Sequence, residues 1–258
     1  MKKIIDMNPF NVEKQRANYA LKKNYKSLIA TYTSKFPEIP DKNTSEMWSE
    51  LNKIAIKDYK NPMAWDRVHK TVKLISEIDG KLLDIGFGSG IIENLLTKSK
   101  SKIQIFGIDI ARVSVETAKR KYPMGKFKVG SILKLPYTKS EFDYVLALEV
   151  LEHIQPHNTF KALSEVYRVL KPNGYFIISV PLNEGLEQLV NESRNLNAHV
   201  RVYTPALVKA ELQISGFKVL KEKYLFAFHD YYHLKSLIAM LFIKKYKPNN
   251  LIILCQKT

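Results

Sequence analysis

Apolar positions recur along the chain in two alternating rhythms. Short runs of Leu, Ile, Val, Phe and Tyr that read as strands lie at 81–85, 103–109, 126–130, 142–148, 175–180, 217–226 and 250–256. Between them, spacings near 3.6 residues mark helices beginning at Ile91, from Ser114 to Lys121, from Asn158 to Leu170 and from Thr204-Pro205 to Gly216. Lys171-Pro172-Asn173-Gly174 reads as the stop that ends the third of these, before a strand beginning at Tyr175. Phe142 to Leu148 is apolar almost throughout, as expected of a strand covered on both faces. Strands alternating with helices of this length predict an α/β fold with a doubly wound sheet.

The chain ahead of the first strand has only the helical rhythm. Residues 11–35 carry Val12, Tyr19, Tyr25, Leu28, Ile29 and Tyr32, a basic, tyrosine-rich helix ended by Phe36-Pro37-Glu38-Ile39-Pro40. Asn43-Thr44-Ser45 caps a second helix through Ile56, and Asn61-Pro62 starts a third with Trp65, Val68, Val72 and Ile75 on one face, closed by Asp79-Gly80. Residues 1–78 therefore read as a helical N-terminal extension to a domain over 79–258.

Composition narrows the picture modestly. With 258 residues, 45% of them hydrophobic, the chain can bury a core of one α/β domain and an appendage. A net charge of +16 attracts polyanions or an acidic lipid surface, or else reflects lysines that are simply solvated. The single cysteine, Cys255, argues against disulfides and a cysteine-based metal site, and points to a reducing, cytoplasmic compartment. Met1-Lys2-Lys3-Ile4-Ile5-Asp6 turns polar before a signal-peptide core forms, and no apolar run approaches the roughly 18 residues needed to span a bilayer.

The chemistry concentrates after the first strand. Leu83-Asp84-Ile85-Gly86-Phe87-Gly88-Ser89-Gly90 ends an apolar run in an acid, passes three glycines at alternate positions and resumes at Ile91 with helical spacing. A tight turn of this kind lets a ligand approach backbone N–H groups at a helix N-terminus. Asp109 ends the second strand, where an acid can grip a ribose by its hydroxyls. A dinucleotide fingerprint would place its third glycine at Ile91, whereas here it is Gly90.

The D-x-G-x-G-x-G run with its downstream Asp109 resembles motifs I and II of the class I S-adenosylmethionine-dependent methyltransferases. The resemblance covers roughly residues 64–256 and implies a seven-stranded, mostly parallel, Rossmann-like sheet whose last strand is antiparallel, with the N-terminal helices as a lid. It further implies that Asp84 and the backbone around Gly86, Gly88 and Gly90 hold the methionyl end of S-adenosyl-L-methionine, that Asp109 takes the ribose, and that Ile110 flanks the adenine. Ser131 stands where relatives commonly carry an acid toward the adenine amino group, and Ile132 and Leu148 complete the cofactor wall.

Leu148-Glu149-Val150-Leu151-Glu152-His153-Ile154 follows the fourth strand, at the sheet edge where open α/β folds bind ligands. If a helical turn begins there, Glu149, Glu152 and His153 converge at i, i+3 and i+4 and could hold a divalent cation, Mg or Zn, with His199 or substrate oxygens completing the shell. The E-x-x-E-H pattern is similar to that of ubiquinone-pathway O-methyltransferases and small-RNA 2′-O-methyltransferases. A metal-free alternative makes His153 a general base beside Glu149. His199 is then a ligand, a base or a loop residue, while His69, His157, His229 and His233 read as structural or exposed.

These readings imply methyl transfer to oxygen on a small-molecule or lipid- or sugar-linked acceptor. An RNA 2′-O-methyltransferase is the alternative, although no arginine-rich patch or aromatic platform for RNA is visible. A non-catalytic module keeping the same fold is the third possibility. The family joins its sixth and seventh strands tightly, whereas here a helical insertion over 229–248 intervenes. Its apolar run within 231–246 either packs on its own chain or meets a membrane surface or a partner. The oligomeric state is left open.

Overall fold

The computed structural model describes residues 23, 25–27, 39, 41–55, 61–75, 79–98, 102–196, 198–242 and 245–258. The helix expected over 11–35 lies outside the described residues apart from 23 and 25–27, which are helical. In chain order the elements are α1 (Ser45–Ala55), α2 (Pro62–Ile75), β1 (Gly80–Ile85), α3 (Ile91–Thr97), β2 (Ile103–Asp109), α4 (Arg112–Lys121), β3 (Lys126–Val129) and β4 (Phe142–Leu148). They continue with α5 (Thr159–Val169), β5 (Leu170–Pro181), α6 (Leu186–Asn191), α7 (Pro205–Ile214), β6 (Phe217–Leu225), α8 (Tyr232–Leu241) and β7 (Asn250–Lys257).

The seven strands form one sheet in the order β3-β2-β1-β4-β5-β7-β6. Neighbours pair in parallel except at β7, which is antiparallel to both β5 and β6. Strand alternation sends successive side chains to opposite faces, and helices cover both. Leu83, Ile85, Val145, Phe176 and Ile178 pack against Leu163 and Val166 of α5 and Val208 and Leu212 of α7. Leu82, Tyr144, Leu146 and Ile177 face the other way, against Val68 and Ile75 of α2, Ile92 and Leu96 of α3, and Val115 and Ala118 of α4. Asp84 shares the parity of Leu82, so the period of two puts its carboxyl on the α3 side.

Two local expectations change. β5 begins at Leu170 rather than at Tyr175. Its register with β4 jumps from Phe142↔Leu170 to Tyr144↔Tyr175, so Pro172 falls in a bulge with no β4 partner, where its missing N–H costs no ladder bond. Asn173 makes the bend with φ of 61°. Trp65 is not on the buried side of α2: it is 36% exposed, while Val68, Thr71 and Ile75 are buried.

The strand order reverses between β1 and β4. Reversal splays the loops leaving the C-terminal ends of these two strands, opening the crevice in which such sheets bind ligands. Every chemical motif of the sequence leaves the sheet at that edge.

Candidate functional site

The loop after β1 is shaped by its glycines. Gly86, Gly88 and Gly90 have φ of 70°, 55° and 74°, values a side chain disfavours. A Cβ at Gly88 would meet nothing within 4 Å, so the backbone there faces open space. Asp109, buried at the tip of β2, stitches the two strand ends together. Its Oδ2 accepts from the Gly88 N–H at 2.9 Å and its Oδ1 from the Ala111 N–H at 2.7 Å.

Two connected hollows open on this loop. One, of about 230 Å³, is lined by Asp109, Ile110, Gly130, Ser131 and Ile132. The other, of about 720 Å³, is lined by Asp84, Leu148, Glu152, His199 and residues of α2. Gly86, Gly88, Glu149 and His153 border both, together with Trp48 and Asn52 of α1. Of the residues singled out from the sequence only Gly90 faces away. Its carbonyl accepts from the Tyr122 hydroxyl at 2.8 Å, anchoring the start of α3.

The charge of the site opposes that of the molecule. Asp41, Asp84, Asp109, Glu149, Glu152 and Glu184 face the hollows against Arg67, in a chain of net charge +16. Burial pushes the Asp84 carboxyl well above the usual carboxylate range, and the neighbouring Glu93 of α3 adds to it. Glu93, wholly buried, is pushed up to about 7, again chiefly by burial. Two neighbouring buried carboxyls repel when both are ionised, so the pair retains a proton up to the neutral range. Burial also raises Asp109, although the Ala111 and Gly88 N–H groups pull it back.

After β4 the chain departs from the expected helical turn. Glu149 adopts a left-handed φ of 56°, and Leu151–His153 wind as a single 3-10 turn. The three side chains therefore do not converge. The Glu149 carboxylate is held by Arg67 at 2.8 Å, the Ser179 hydroxyl at 2.7 Å, and the Asn250 amide at 2.9 and 3.0 Å. Glu152 and His153 turn instead toward His199, and one ligand atom from each of these three lies within 4.8 Å of the others. A cation at this place would thus be held without Glu149, which corrects the expected ligand set.

His199 is tied to a residue the sequence did not single out. Its Nδ1 lies 2.8 Å from a Glu184 carboxylate oxygen. A carboxylate only accepts, so Nδ1 carries the hydrogen, which leaves Nε2 as the ring's acceptor whenever the imidazole is neutral. The His153 ring sits edge-on to the His199 ring and to the Trp48 ring, each at 4.8 Å between centroids. Burial lowers His153 to about 3, with His199 adding to the effect, so it is neutral at physiological pH. Glu152, wholly buried, is raised well above the carboxylate range by burial and by Glu149.

Several buried polar atoms in this wall lack a hydrogen-bond partner among the described residues: Arg67 Nε, both Glu152 oxygens, His153 Nδ1 and Asn250 Oδ1. Unpaired buried groups are expensive, and a cluster of them facing a hollow signals a polar ligand. Arg67, Glu184 and Asn250 were beyond sequence reasoning. The single available signal was position, since Glu184 and Asn250 adjoin strand ends at the ligand-binding edge.

Comparison with known proteins agrees with this geometry. Residues 83–178 match a family model described as "Methyltransferase domain". A ubiquinone biosynthesis O-methyltransferase of Pelagibacter ubique is 29% identical over 54% of this chain and 57% of its own. An erythromycin 3''-O-methyltransferase of Saccharopolyspora erythraea is 33% identical over 42% of this chain and 37% of its own. The chain spans between 37% and 60% of the length of the curated relatives it matches. Among solved structures, an S-adenosylmethionine-dependent methyltransferase of Mesorhizobium loti superposes with a TM-score of 0.59 at 14% identity, over 76% of this chain and 98% of its own. The [4+2]-cyclase SpnF superposes at 0.60 and 21% identity, over 86% and 99%.

Proposed function

We propose that this chain, whose residues 83–178 match a methyltransferase domain, is a class I S-adenosylmethionine-dependent methyltransferase that transfers a methyl group to a hydroxyl of a polyhydroxylated small-molecule or lipid- or sugar-linked acceptor. The observation that carries this reading is the joining of two unlike hollows at Gly86 and Gly88, one closed by the Asp109 carboxylate and the other walled by unpaired polar atoms around His199.

S-adenosylmethionine, when bound, supplies an electrophilic methyl on a sulfonium. The residues present fit it. The acid-lined hollows suit a cation, and the open face of Gly88 admits a ligand to the backbone. Asp109 has lone pairs left for ribose hydroxyls, and Ile110 and Ile132 offer an apolar slot with Ser131 at its edge. Asp84, Gly86, Gly88 and Leu148 are assigned to the methionyl end.

In the larger hollow the acceptor is held by groups that need both donors and acceptors, which a hydroxyl provides. Arg67 Nε donates, Asn250 Oδ1 accepts, and the Glu152 carboxyl and His153 Nδ1 do either according to where their protons sit. His199 Nε2 takes the hydroxyl proton while Glu184 fixes the ring and stabilises the imidazolium that forms. Glu149 acts as a positioning residue, locking α2 and β7 to the end of β4. Orientation and exclusion of water supply the remainder, on the order of 7 to 11 kcal/mol in favourable cases.

A divalent cation on Glu152, His153 and His199 is a second reading, favoured by the closeness of their ligand atoms. RNA is disfavoured as acceptor because Arg67, already paired with Glu149, is the one lysine or arginine among the described residues lining the hollows, whereas an RNA backbone needs several cations along it. The test is transfer of isotopically labelled methyl to a panel of polyols, sugars and glycolipids by the parent and by His199→Ala. Loss of turnover with unchanged cofactor affinity supports His199 as base. Full turnover by the variant refutes that role, and turnover that vanishes in chelator moves the reading to the cation.

A further inference from the structure

The connection between β6 and β7 carries the most unusual surface of the molecule. α8 is amphipathic in the inverted sense. Toward the protein it turns Tyr232, Ser236 and Ala239, of which Tyr232 and Ala239 are buried. Outward it turns Leu234, Leu237, Ile238 and Leu241, at helical spacing i, i+3, i+4 and i+7, followed by Phe242. Leu234 is 59% exposed, Leu241 72% and Phe242 57%. A helix packed only to stabilise its own chain would bury its leucines, whereas here Tyr232 is the one large side chain that the helix buries.

Charge says what covers this face. Between His229 and Lys247 the sequence holds Lys235, Lys244, Lys245 and Lys247 against the single acid Asp230. Lys235, Lys245 and Lys247 are exposed around the apolar stripe. A second copy of a chain carrying +16 would bring lysines against lysines. An anionic bilayer offers the complement: acyl chains for the leucines and headgroup phosphates for the lysines. The helix is ten residues long, too short to cross a membrane, and suits an orientation in the plane of the interface. Its placement is also apt. The Tyr232 hydroxyl donates to Asp66 of α2 at 2.8 Å, and Ala227 and Asn249, at the two roots of the connection, line the larger hollow.

We infer that the outward face of α8 is a membrane-docking surface that seats the molecule on anionic phospholipid, with the mouth of the larger hollow beside the headgroups. Vesicle binding reads this face directly, whatever the hollow accepts. The full-length chain is floated with vesicles of phosphatidylcholine alone and of phosphatidylcholine with about a quarter phosphatidylglycerol, at low and high salt. Salt-sensitive binding to the anionic vesicles, and at least about tenfold weaker binding to neutral ones, is expected. The triple substitution Leu234→Glu, Leu237→Glu and Leu241→Glu is expected to abolish it with far-UV circular dichroism and the urea midpoint unchanged.

A second triple variant, Lys235→Ala, Lys245→Ala and Lys247→Ala, leaves the apolar face intact and tests the charge separately. About fivefold loss per lysine is expected. Absence of binding to anionic vesicles by the parent overturns the inference. So does undiminished binding by both variants, or a dimer in sedimentation equilibrium that the leucine substitutions dissolve.

Discussion

Replacing Glu93 by Gln probes the buried acid pair behind the glycine loop. In the unfolded chain Glu93 sheds its proton near the ordinary value of 4.5, whereas in the fold it keeps it until about pH 7. Between those values the folded state binds more protons than the unfolded state, so stability falls as pH rises. The loss begins near 4.5 and is complete above about 7. That interval of about 2.5 pH units, at 1.36 kcal/mol each, corresponds to about 3 kcal/mol. No discount for solvent screening applies, since Glu93 has no exposed surface. Glu93→Gln removes the penalty, because the amide is neutral at every pH and its N–H can donate to Asp84. The variant should match the parent near about pH 4 and exceed it by about 3 kcal/mol near about pH 8. Urea unfolding across that range, with the m-value as a check on unchanged two-state behaviour, measures the difference. A variant that differs from the parent by a constant amount at all pH values would refute the shared-proton account.

Three further expectations concern the same loop. Cofactor binding near neutral pH should expel the proton held by Asp84 and Glu93, because a cationic ligand favours their ionised forms; calorimetry in buffers of different ionisation enthalpy measures it, and zero release counts against the assignment. Asp109→Ala should weaken S-adenosylmethionine by about 100-fold, from two charged hydrogen bonds at about 1.5 kcal/mol each, and an affinity within about threefold of the parent would exclude Asp109 as the ribose ligand. Gly90→Ala forces a side chain to φ of 74° with its Cβ 2.9 Å from the Tyr122 ring, so a loss of about 1 to 3 kcal/mol in stability is expected, and an unchanged melting temperature would contradict it.

The parts of the site that were legible in the sequence are local ones. The glycine loop, Asp84 and Asp109 are fixed by short-range rules: a strand ending, a backbone that tolerates positive φ, and a second strand whose tip lies beside the first. Glu149 escaped the same reasoning because its direction is decided from afar. Arg67 lies on a helix that precedes the sheet and Asn250 on its last strand, and together they hold the carboxylate that a left-handed backbone presents to them. No periodicity at 149–153 announces that turn. Lys171 to Gly174 was half legible: the Pro-Asn-Gly run does end α5, but that β5 has already begun depends on the bulge against β4. The partnership of Glu184 with His199 spans a loop and a short helix, and loops record their geometry in tertiary contacts rather than in spacing.

The antiparallel course of β7 bears on how this scaffold can be altered. Because β6 and β7 run in opposite senses, Leu225 and Asn250 are paired neighbours, and the Asn249 N–H closes onto the Leu225 carbonyl at 2.8 Å. The whole excursion over 226–249 therefore departs and returns through a doorway one strand-spacing wide. A segment anchored in that way is modular: it can be shortened to a turn, lengthened, or exchanged for a foreign adaptor without shifting the sheet's register. With Ala227 and Asn249 kept, since both line the larger hollow, the segment between them can be regrafted at this doorway while the crevice is altered on its own.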